Sequence, residues 1–345
     1  MPSVLVTGGA GYIGSHAVKA LALVGHEVVV YDNLSAGHAA AVDAVRLAVD
    51  RHGLTPSQVT FVRGDIRDTA LLEKTLAEHQ ADAVLHFAAW LDVGQSVRDP
   101  LGYYDNNVRG ALSVLDAMVR AGVRRFIFSS TCATFGEPST VPITEDLPQA
   151  PINAYGETKL AIERALPHYE RAYGLRWVAL RYFNAAGADP EGDLGEDHHP
   201  EIHIIPRAID AALGRGALVV FGTDYPTPDG TCLRDYIHVT DLADAHVKAL
   251  AYLEREQPST AFNLGNGRPH SVLEVIAAVE AVIGRPVARS LGARREGDPA
   301  ALYTSNARVR EALGWSARYD DLRVIVESAW RWRDRNPQGY PEVRT

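Results

Sequence analysis

The sequence predicts an α/β protein: a doubly wound parallel sheet with a smaller α/β domain set against it. Three observations carry that prediction. Short apolar or β-branched runs alternate with amphipathic stretches up to about residue 185, the pattern of parallel strands covered by helices on both faces. A glycine-rich turn follows the first run and opens the first amphipathic stretch. Beyond Asn184 the chain changes character, with long polar loops between separate elements.

Taken in order, strands are expected at 4–7, 27–31, 59–63, 83–87, 125–129 and 177–181. Helical spacing of apolar residues falls between them at 13–24, 70–79, 104–120 and 154–173. The Ala/Val-rich stretch 37–53 reads as an extra helix after the second strand. Two segments rich in Gly, Asp and Pro, 187–200 and 222–230, read as loops. A helix at 241–254, a strand at 261–264 and a helix at 271–283 follow. Residues 1–184 thus form the expected first domain, to which the chain partly returns around 236–265. Residues 185–235 and 266–345 form a smaller α/β substrate-binding domain. No internal repeat or low-complexity tract is evident.

Bulk properties exclude several function classes. At 345 residues, 46% hydrophobic and 22% charged, the chain has an ordinary globular composition. No run approaches the roughly 20 apolar residues that span a bilayer. Met1-Pro2-Ser3 leads directly into Val4-Leu5-Val6 without a charged leader, so the fold is expected to start there. The two cysteines, Cys132 and Cys232, make no C-x-x-C pair and suit a reducing cytoplasm. A net charge of −9 without a basic run argues against nucleic-acid binding.

The turn Gly8-Gly9-Ala10-Gly11-Tyr12-Ile13-Gly14 has the spacing of a dinucleotide site, which makes the doubly wound sheet one of Rossmann type. Glycines at 8, 11 and 14 permit a tight turn, close approach to a pyrophosphate, and presentation of a helix N-terminus to the phosphates. Asp32 ends the second strand, 18 residues after Gly14. A carboxylate there binds a ribose 2′-hydroxyl and repels a 2′-phosphate, which favours NAD over NADP; in isolation it would read as a turn cap. Asp65 follows the third strand, where it is either a turn residue or an acceptor for the adenine amino group.

Tyr155 and Lys159 are four residues apart at the start of a helix and share one face. An ammonium beside a phenol is expected to lower the tyrosine pKa from its usual ~10 and make it a general base for hydride chemistry. Such a pair is common on solvated helices, so its weight comes from following the dinucleotide half. Upstream, Ser129-Ser130-Thr131-Cys132-Ala133-Thr134 closes an apolar strand. Its hydroxyls stand either in the ligand crevice or in a local turn.

Longer motifs narrow the reading. They are Val6-Thr7-Gly8-Gly9-Ala10-Gly11-Tyr12-Ile13-Gly14-Ser15-His16, Tyr31-Asp32-Asn33-Leu34, Gly64-Asp65-Ile66-Arg67, His86-Phe87-Ala88-Ala89 and Tyr103-Tyr104-Asp105-Asn106-Asn107. Tyr155-Gly156-Glu157-Thr158-Lys159 and Arg181-Tyr182-Phe183-Asn184 continue the series. The most specific are Phe221-Gly222-Thr223-Asp224-Tyr225-Pro226-Thr227-Pro228-Asp229-Gly230-Thr231, Arg234-Asp235-Tyr236-Ile237-His238-Val239 and Arg294-Arg295-Glu296-Gly297-Asp298. With these, nearly the whole chain resembles the extended short-chain dehydrogenase/reductase family, in its NAD-dependent epimerase/dehydratase branch.

The resemblance implies reversible C4 epimerization of a UDP-hexose, UDP-galactose to UDP-glucose, through a 4-keto intermediate with tightly bound NAD. It implies that Tyr155 takes the 4-hydroxyl proton, that Lys159 tunes Tyr155 and holds the nicotinamide ribose, and that Thr131 hydrogen-bonds the same sugar oxygen. Tyr12, Ile13, Asp32, Asn33, Asp65, Ile66, Phe87, Ala88, Ala89, Asn106 and Phe183 would line NAD. Asn184, Phe221, Arg234, Tyr236, Arg295 and Asp298 would hold the UDP-sugar, the arginines by their fit to a diphosphate. The resemblance also implies a homodimer packed through the helices containing 106–120 and 155–173.

Three positions depart from the family's best-known members. Leu91 stands where they carry a lysine near the cofactor ribose, which removes one cofactor contact. His203, a substrate-loop residue, replaces an asparagine. Leu302 occupies the position whose size bears on N-acetylated sugars, so UDP-N-acetylglucosamine, UDP-N-acetylgalactosamine or a UDP-pentose remain alternative substrates. A 4,6-dehydratase would carry an Asp-Glu pair where Cys132-Ala133 follow Thr131. A non-catalytic NAD-binding sensor would have no use for Tyr155 with Lys159. In Asp197-His198-His199-Pro200-Glu201-Ile202-His203, His199 and His203 have helical spacing, but Pro200 disfavours the helix that would join them. No metal is expected.

Overall fold

A computed structural model describes residues 2–295 and 298–341; Glu296 and Gly297, inside the arginine motif, lie outside the described residues. The first half of the chain alternates strand and helix. Its elements are β1 (Ser3–Thr7), α1 (Tyr12–Leu23), β2 (Glu27–Asp32), α2 (Ala39–Arg51), β3 (Val59–Arg63), α3 (Thr69–Glu78) and β4 (Ala83–His86). The short helices α4 (Val93–Arg98) and α5 (Pro100–Tyr103) lead to α6 (Gly110–Ala121), β5 (Arg125–Thr131), α7 (Ala154–Tyr173) and β6 (Arg176–Tyr182). There follow β7 (Asn184–Ala186), α8 (Ile204–Ala212), β8 (Leu218–Phe221), β9 (Leu233–His238), α9 (Val239–Glu254), β10 (Thr260–Leu264) and β11 (Pro269–Ser271). The chain continues through α10 (Val272–Ile283), β12 (Arg289–Gly292), β13 (Ala301–Leu302), α11 (Ala307–Leu313) and α12 (Leu322–Arg335).

Seven strands make one parallel sheet in the order β10-β6-β5-β4-β1-β2-β3. Side chains alternate across a strand, and β1 shows the result. Val4 and Val6 pack with Val18 and Leu21 of α1, Val45 of α2 and Leu250 of α9. Leu5 packs on the other face with Leu72 of α3, Val114 and Met118 of α6, and Ile162 of α7. Both faces are covered, so these strands read as continuous apolar runs rather than alternating ones.

The second half adds a smaller layer. β9 pairs antiparallel with β11 and parallel with β13 and β7, while β8 pairs with β12. Val220 of β8 and Tyr236 of β9 share a buried cluster with Ile209 of α8, Val275 of α10 and Ile325 of α12. β10, although late in the chain, closes the edge of the large sheet beside β6.

The helix expected at 104–120 differs in its first turns. Tyr104–Arg109 form a π-helical segment that runs into α6. The wider turn lets two consecutive asparagines, Asn106 and Asn107, both be buried. Asn107 ties the segment down by accepting from the Trp90 backbone N–H at 2.8 Å and donating to the Thr158 hydroxyl of α7 at 3.2 Å.

Two ionic arrangements join elements distant in sequence. Arg181 of β6 and Glu163 of α7 form a buried pair, with Arg181 Nη2 2.6 Å from Glu163 Oε2 and its Nε 3.0 Å from both oxygens. Ser130 also donates to that carboxylate, and Gln149 does so at 3.2 Å. On the opposite side, Lys19 of α1 donates to Asp189 at 2.9 Å, Glu191 at 2.7 Å and Asp193 at 2.9 Å, gathering the loop after β7 onto α1.

Glu163→Ala leaves the Arg181 guanidinium buried without its counter-charge. A loss of about 3–5 kcal/mol is expected from removing one partner of such a pair, read as a lower urea midpoint. The double variant Glu163→Leu/Arg181→Met should recover much of it.

Candidate active site

Strand order in the large sheet reverses at β1, between β4 and β2, which makes the carboxyl ends of these strands the expected ligand crevice. The glycine turn sits there. Gly8 has φ +71°, and a Cβ on it would lie 2.5 Å from the Ala88 backbone nitrogen. A Cβ on Gly14 would lie 2.1 Å from the Gly8 carbonyl oxygen. Only glycine lets α1 begin this close to β1, which leaves the helix N-terminus facing the crevice.

Asp32 closes the turn from β2. One carboxylate oxygen accepts from Ala10 N–H at 3.0 Å and the other from Leu34 N–H at 2.8 Å. Burial pushes its pKa up, and these two bonds act against that rise. The carboxylate is thereby fixed in orientation at the crevice wall. Asp65 is held differently. Arg67 clasps it through two bonds of 2.9 and 2.8 Å, and Asn33 donates to it at 3.1 Å. Hydrogen bonds from Arg67, against the effect of burial, hold this carboxyl well below the usual range.

On the other side, Asn153 caps α7 by accepting from Gly156 N–H at 2.8 Å, which places Tyr155 in the first turn. Thr131 ends β5 beside Tyr155, its hydroxyl accepting from Ala133 N–H at 3.1 Å. Lys159 is buried, donates to the Ser129 carbonyl at 2.8 Å, and lies 6.0 Å from the Tyr155 ring centre. This corrects the expectation that the lysine lowers the tyrosine pKa. Burial pushes Tyr155 up to about 12, with Thr131 opposing it and Cys132 adding to it. Burial pulls Lys159 down to about 7, against the opposite pull of Glu163. From the protein's own groups alone, desolvation is the largest influence on both.

These parts line one cleft of about 390 Å³, within the range of small-molecule sites. Of the sequence-selected residues, Gly8, Gly11, Tyr12, Ile13, Gly14, Asp32, Asn33, Ile66, Phe87, Ala88, Ala89, Asn106 and Phe183 line it. Thr131, Tyr155, Lys159, Asn184, His203, Asp298 and Leu302 line it as well, as does Leu91. Asp65, Phe221, Arg234, Tyr236 and Arg295 are not part of that lining. Arg234 pairs with Asp298, and the Arg295 guanidinium stacks 4.1 Å from the Phe221 ring centre. Tyr236 is buried in the smaller core.

Trp90, Cys132, Tyr182 and His198 also line the cleft, without a ligand role expected from sequence. Ser129, whose hydroxyl could have served either crevice or turn, lines it too. Ser129 and Tyr182 are hydrogen-bonded to each other. Both stand near the carboxyl ends of parallel strands, and that position was the available signal. The close glycine turn, the fixed Asp32 carboxylate and the apolar walls fit a dinucleotide.

Known proteins point the same way. The model of the NAD dependent epimerase/dehydratase family matches residues 4–265. UDP-glucose 4-epimerase of Rhizobium meliloti is 53% identical over 338 residues, covering 98% of each chain. The crystal structure of UDP-glucose 4-epimerase from Brucella ovis in complex with NAD superposes with a TM-score of 0.90 at 51% identity, covering 96% of this chain and 98% of that one. UDP-glucose-4-epimerase from Stenotrophomonas maltophila, with bound NAD and formylated UDP-arabinopyranose, has a TM-score of 0.92 at 40% identity, covering 98% and 99%. This chain belongs to the NAD dependent epimerase/dehydratase family.

Proposed function

We propose that the protein interconverts UDP-galactose and UDP-glucose by reversible epimerization at C4. The observation that carries this reading is Tyr155, set with Thr131 and Lys159 in the same cleft as the glycine turn, on a chain similar over nearly its full length to UDP-glucose 4-epimerases.

Tyr155 takes the proton from the sugar 4-hydroxyl, and Thr131 holds the same oxygen in line with it. NAD, held by the glycine turn and Asp32, would supply reversible oxidation at C4 and a positive charge in the cleft. Lys159 would supply a second positive charge and hold the nicotinamide ribose; Glu163, on the next turn of α7, favours its protonated form. The 4-keto sugar turns in the cleft, and Tyr155 returns the proton to O4 on the other face. Asp32 would hold the adenosine ribose, and the N-terminus of α1 would bind the pyrophosphate.

Asn184, His203, Asp298 and Leu302 face the sugar nucleotide from the smaller layer. Arg234 and Arg295 supply guanidinium groups for its diphosphate, with Phe221 and Tyr236 completing that side. Asp65, at the margin of the cleft, faces the adenine. Residues 1–184, with the return at 236–265, serve the cofactor; 185–235 and 266–345 serve the sugar nucleotide. The crystallised Stenotrophomonas maltophila relative carries formylated UDP-arabinopyranose, a pentose derivative, which favours a UDP-pentose as a second substrate.

A homodimer packed through the helices containing 106–120 and 155–173 is supported by the exposed apolar groups Val97, Leu101 and Tyr104 just before α6. A cytoplasmic location is supported by two free cysteines. Among the described residues, no helix is long and apolar enough to cross a membrane.

The Lys159 environment has a stability signature. Its folded pKa, about 7, lies below the usual ~10.4 of an unfolded lysine. Between these values the unfolded chain binds more protons, so the penalty of burying Lys159 is relieved as pH rises from 7 towards 10. The urea midpoint of the parent minus that of Lys159→Met should therefore rise across this range; a flat difference contradicts the buried, depressed lysine.

Tyr155→Phe should keep its NAD and lose roughly 100- to 10,000-fold in kcat. Assays with UDP-galactose, UDP-N-acetylgalactosamine and UDP-xylose supplied separately should show epimerization of UDP-galactose. Turnover only with stoichiometric consumption of added NAD⁺, or an unimpaired Tyr155→Phe enzyme, overturns the reading.

A further inference from the structure

Asp235 stands between Arg234 and Tyr236 on β9 and is not part of the cleft lining. It is 0% exposed, yet its hydrogen-bond partners are all main-chain groups: three backbone N–H groups converge on the carboxylate. Oδ1 accepts from Asn266, while Oδ2 accepts from Gly267 at 3.0 Å and from Thr304 at 3.2 Å. The fit is close, since a Cβ on Gly265 would lie 2.3 Å from Oδ2. Taking a carboxylate out of water costs free energy that apolar packing would avoid. What it offers in return is acceptor capacity at both oxygens, which donors arriving from separate segments require.

Those segments belong to different layers. Asn266 and Gly267 follow β10, the edge strand of the large sheet, whereas Thr304 follows β13 of the smaller layer. β13 pairs with β9 so that Leu302 stands opposite Arg234. The Asp235 carbonyl accepts from the Asn184 side chain at 3.1 Å, which draws β7 into the same joint. Asn306 doubles the tie, accepting from Gly265 N–H at 3.0 Å and donating to the Gly265 carbonyl at 2.6 Å. One residue thus fixes three segments that face the sugar nucleotide. Asn184 and Leu302 line the cleft, and Arg234 pairs with Asp298, which lines it too.

We propose that Asp235 is a positioning residue for the sugar nucleotide. It touches neither ligand and acts through Asn184, Arg234 and Leu302, whose places it sets against the edge of the large sheet. The inference rests on the UDP-sugar reading of the cleft and deepens it, by separating the residues that meet the sugar nucleotide from the one that assembles them. Asparagine has nearly the same shape but cannot do the same work. An amide offers one acceptor oxygen and one donor NH₂. Either way round, the NH₂ faces a backbone N–H that the carboxylate had satisfied.

The test compares Asp235→Asn with the parent, both purified as full-length protein with their bound NAD. Tm and NAD content are measured first, then the Kd of UDP by calorimetry and steady-state turnover of UDP-galactose. NAD content should match the parent's. The Kd of UDP and the KM of UDP-galactose should each rise at least roughly 10-fold, the equivalent of one buried N–H left unpaired. A fall in kcat of less than about 3-fold marks the loss as one of binding. A role in stability alone lowers Tm and leaves Kd and KM at the parent's values, a result that overturns the inference. Loss of bound NAD in step with UDP affinity overturns it as well. Should Asp235→Asn not fold, Asn306→Ala loosens the same joint without altering the carboxylate. It should raise the Kd of UDP by at least roughly 3-fold, and an unchanged Kd overturns the inference. A parent that binds UDP but does not epimerize UDP-galactose refutes the proposed reaction, while the ratio of UDP affinities still decides the role of Asp235.

Discussion

The geometry of the cleft depends on one buried ion pair. Arg181 and Glu163 join β6 to α7 one turn beyond Lys159, on the face that carries Tyr155 and Lys159. Ser130 and Gln149 tie β5 and the segment after it to the same carboxylate. A charge pair at this depth gains little net stability over apolar packing. Its value is directional: the bidentate contact admits one orientation of α7 against the sheet, so the tyrosine and lysine arrive at the strand ends already aimed.

The same burial sets the chemistry. Desolvation favours the neutral forms of both Tyr155 and Lys159. A tyrosine kept neutral until ligands bring positive charge into the cleft does not act as a base on solvent. Glu163 belongs to both arguments, because the carboxylate that anchors Arg181 also favours a protonated Lys159.

Much of the large sheet is legible in the sequence because its information is local. β1 to β6 are continuous apolar runs, and the glycine turn, Asp32 and the Tyr155–Lys159 spacing each lie within a few residues of a strand end or helix start. What escapes is either short or long-range. β7, β11 and β13 have two or three residues each, too few to show a period. α8 follows directly on a long polar loop, and α12 is dense in arginine, so neither stands out as an element. Periodicity runs through Tyr104–Arg109 without revealing the π turn, which is anchored by the long-range Asn107 contacts with Trp90 and Thr158. The pairing of Arg234 with Asp298 spans 64 residues, and spacing cannot report it.

Lys19 makes one loop a shared tether. Three carboxylates of that loop converge on this side chain of α1, and Arg51 and His52 at the end of α2 reach the same loop. From the smaller layer, Arg331 of α12 donates to the Pro190 carbonyl at 3.1 Å and Ser328 accepts from Ala188 N–H at 3.0 Å. Shifting the smaller layer against the large sheet therefore requires several ion pairs and hydrogen bonds to part together, so the two layers move as one piece or not at all.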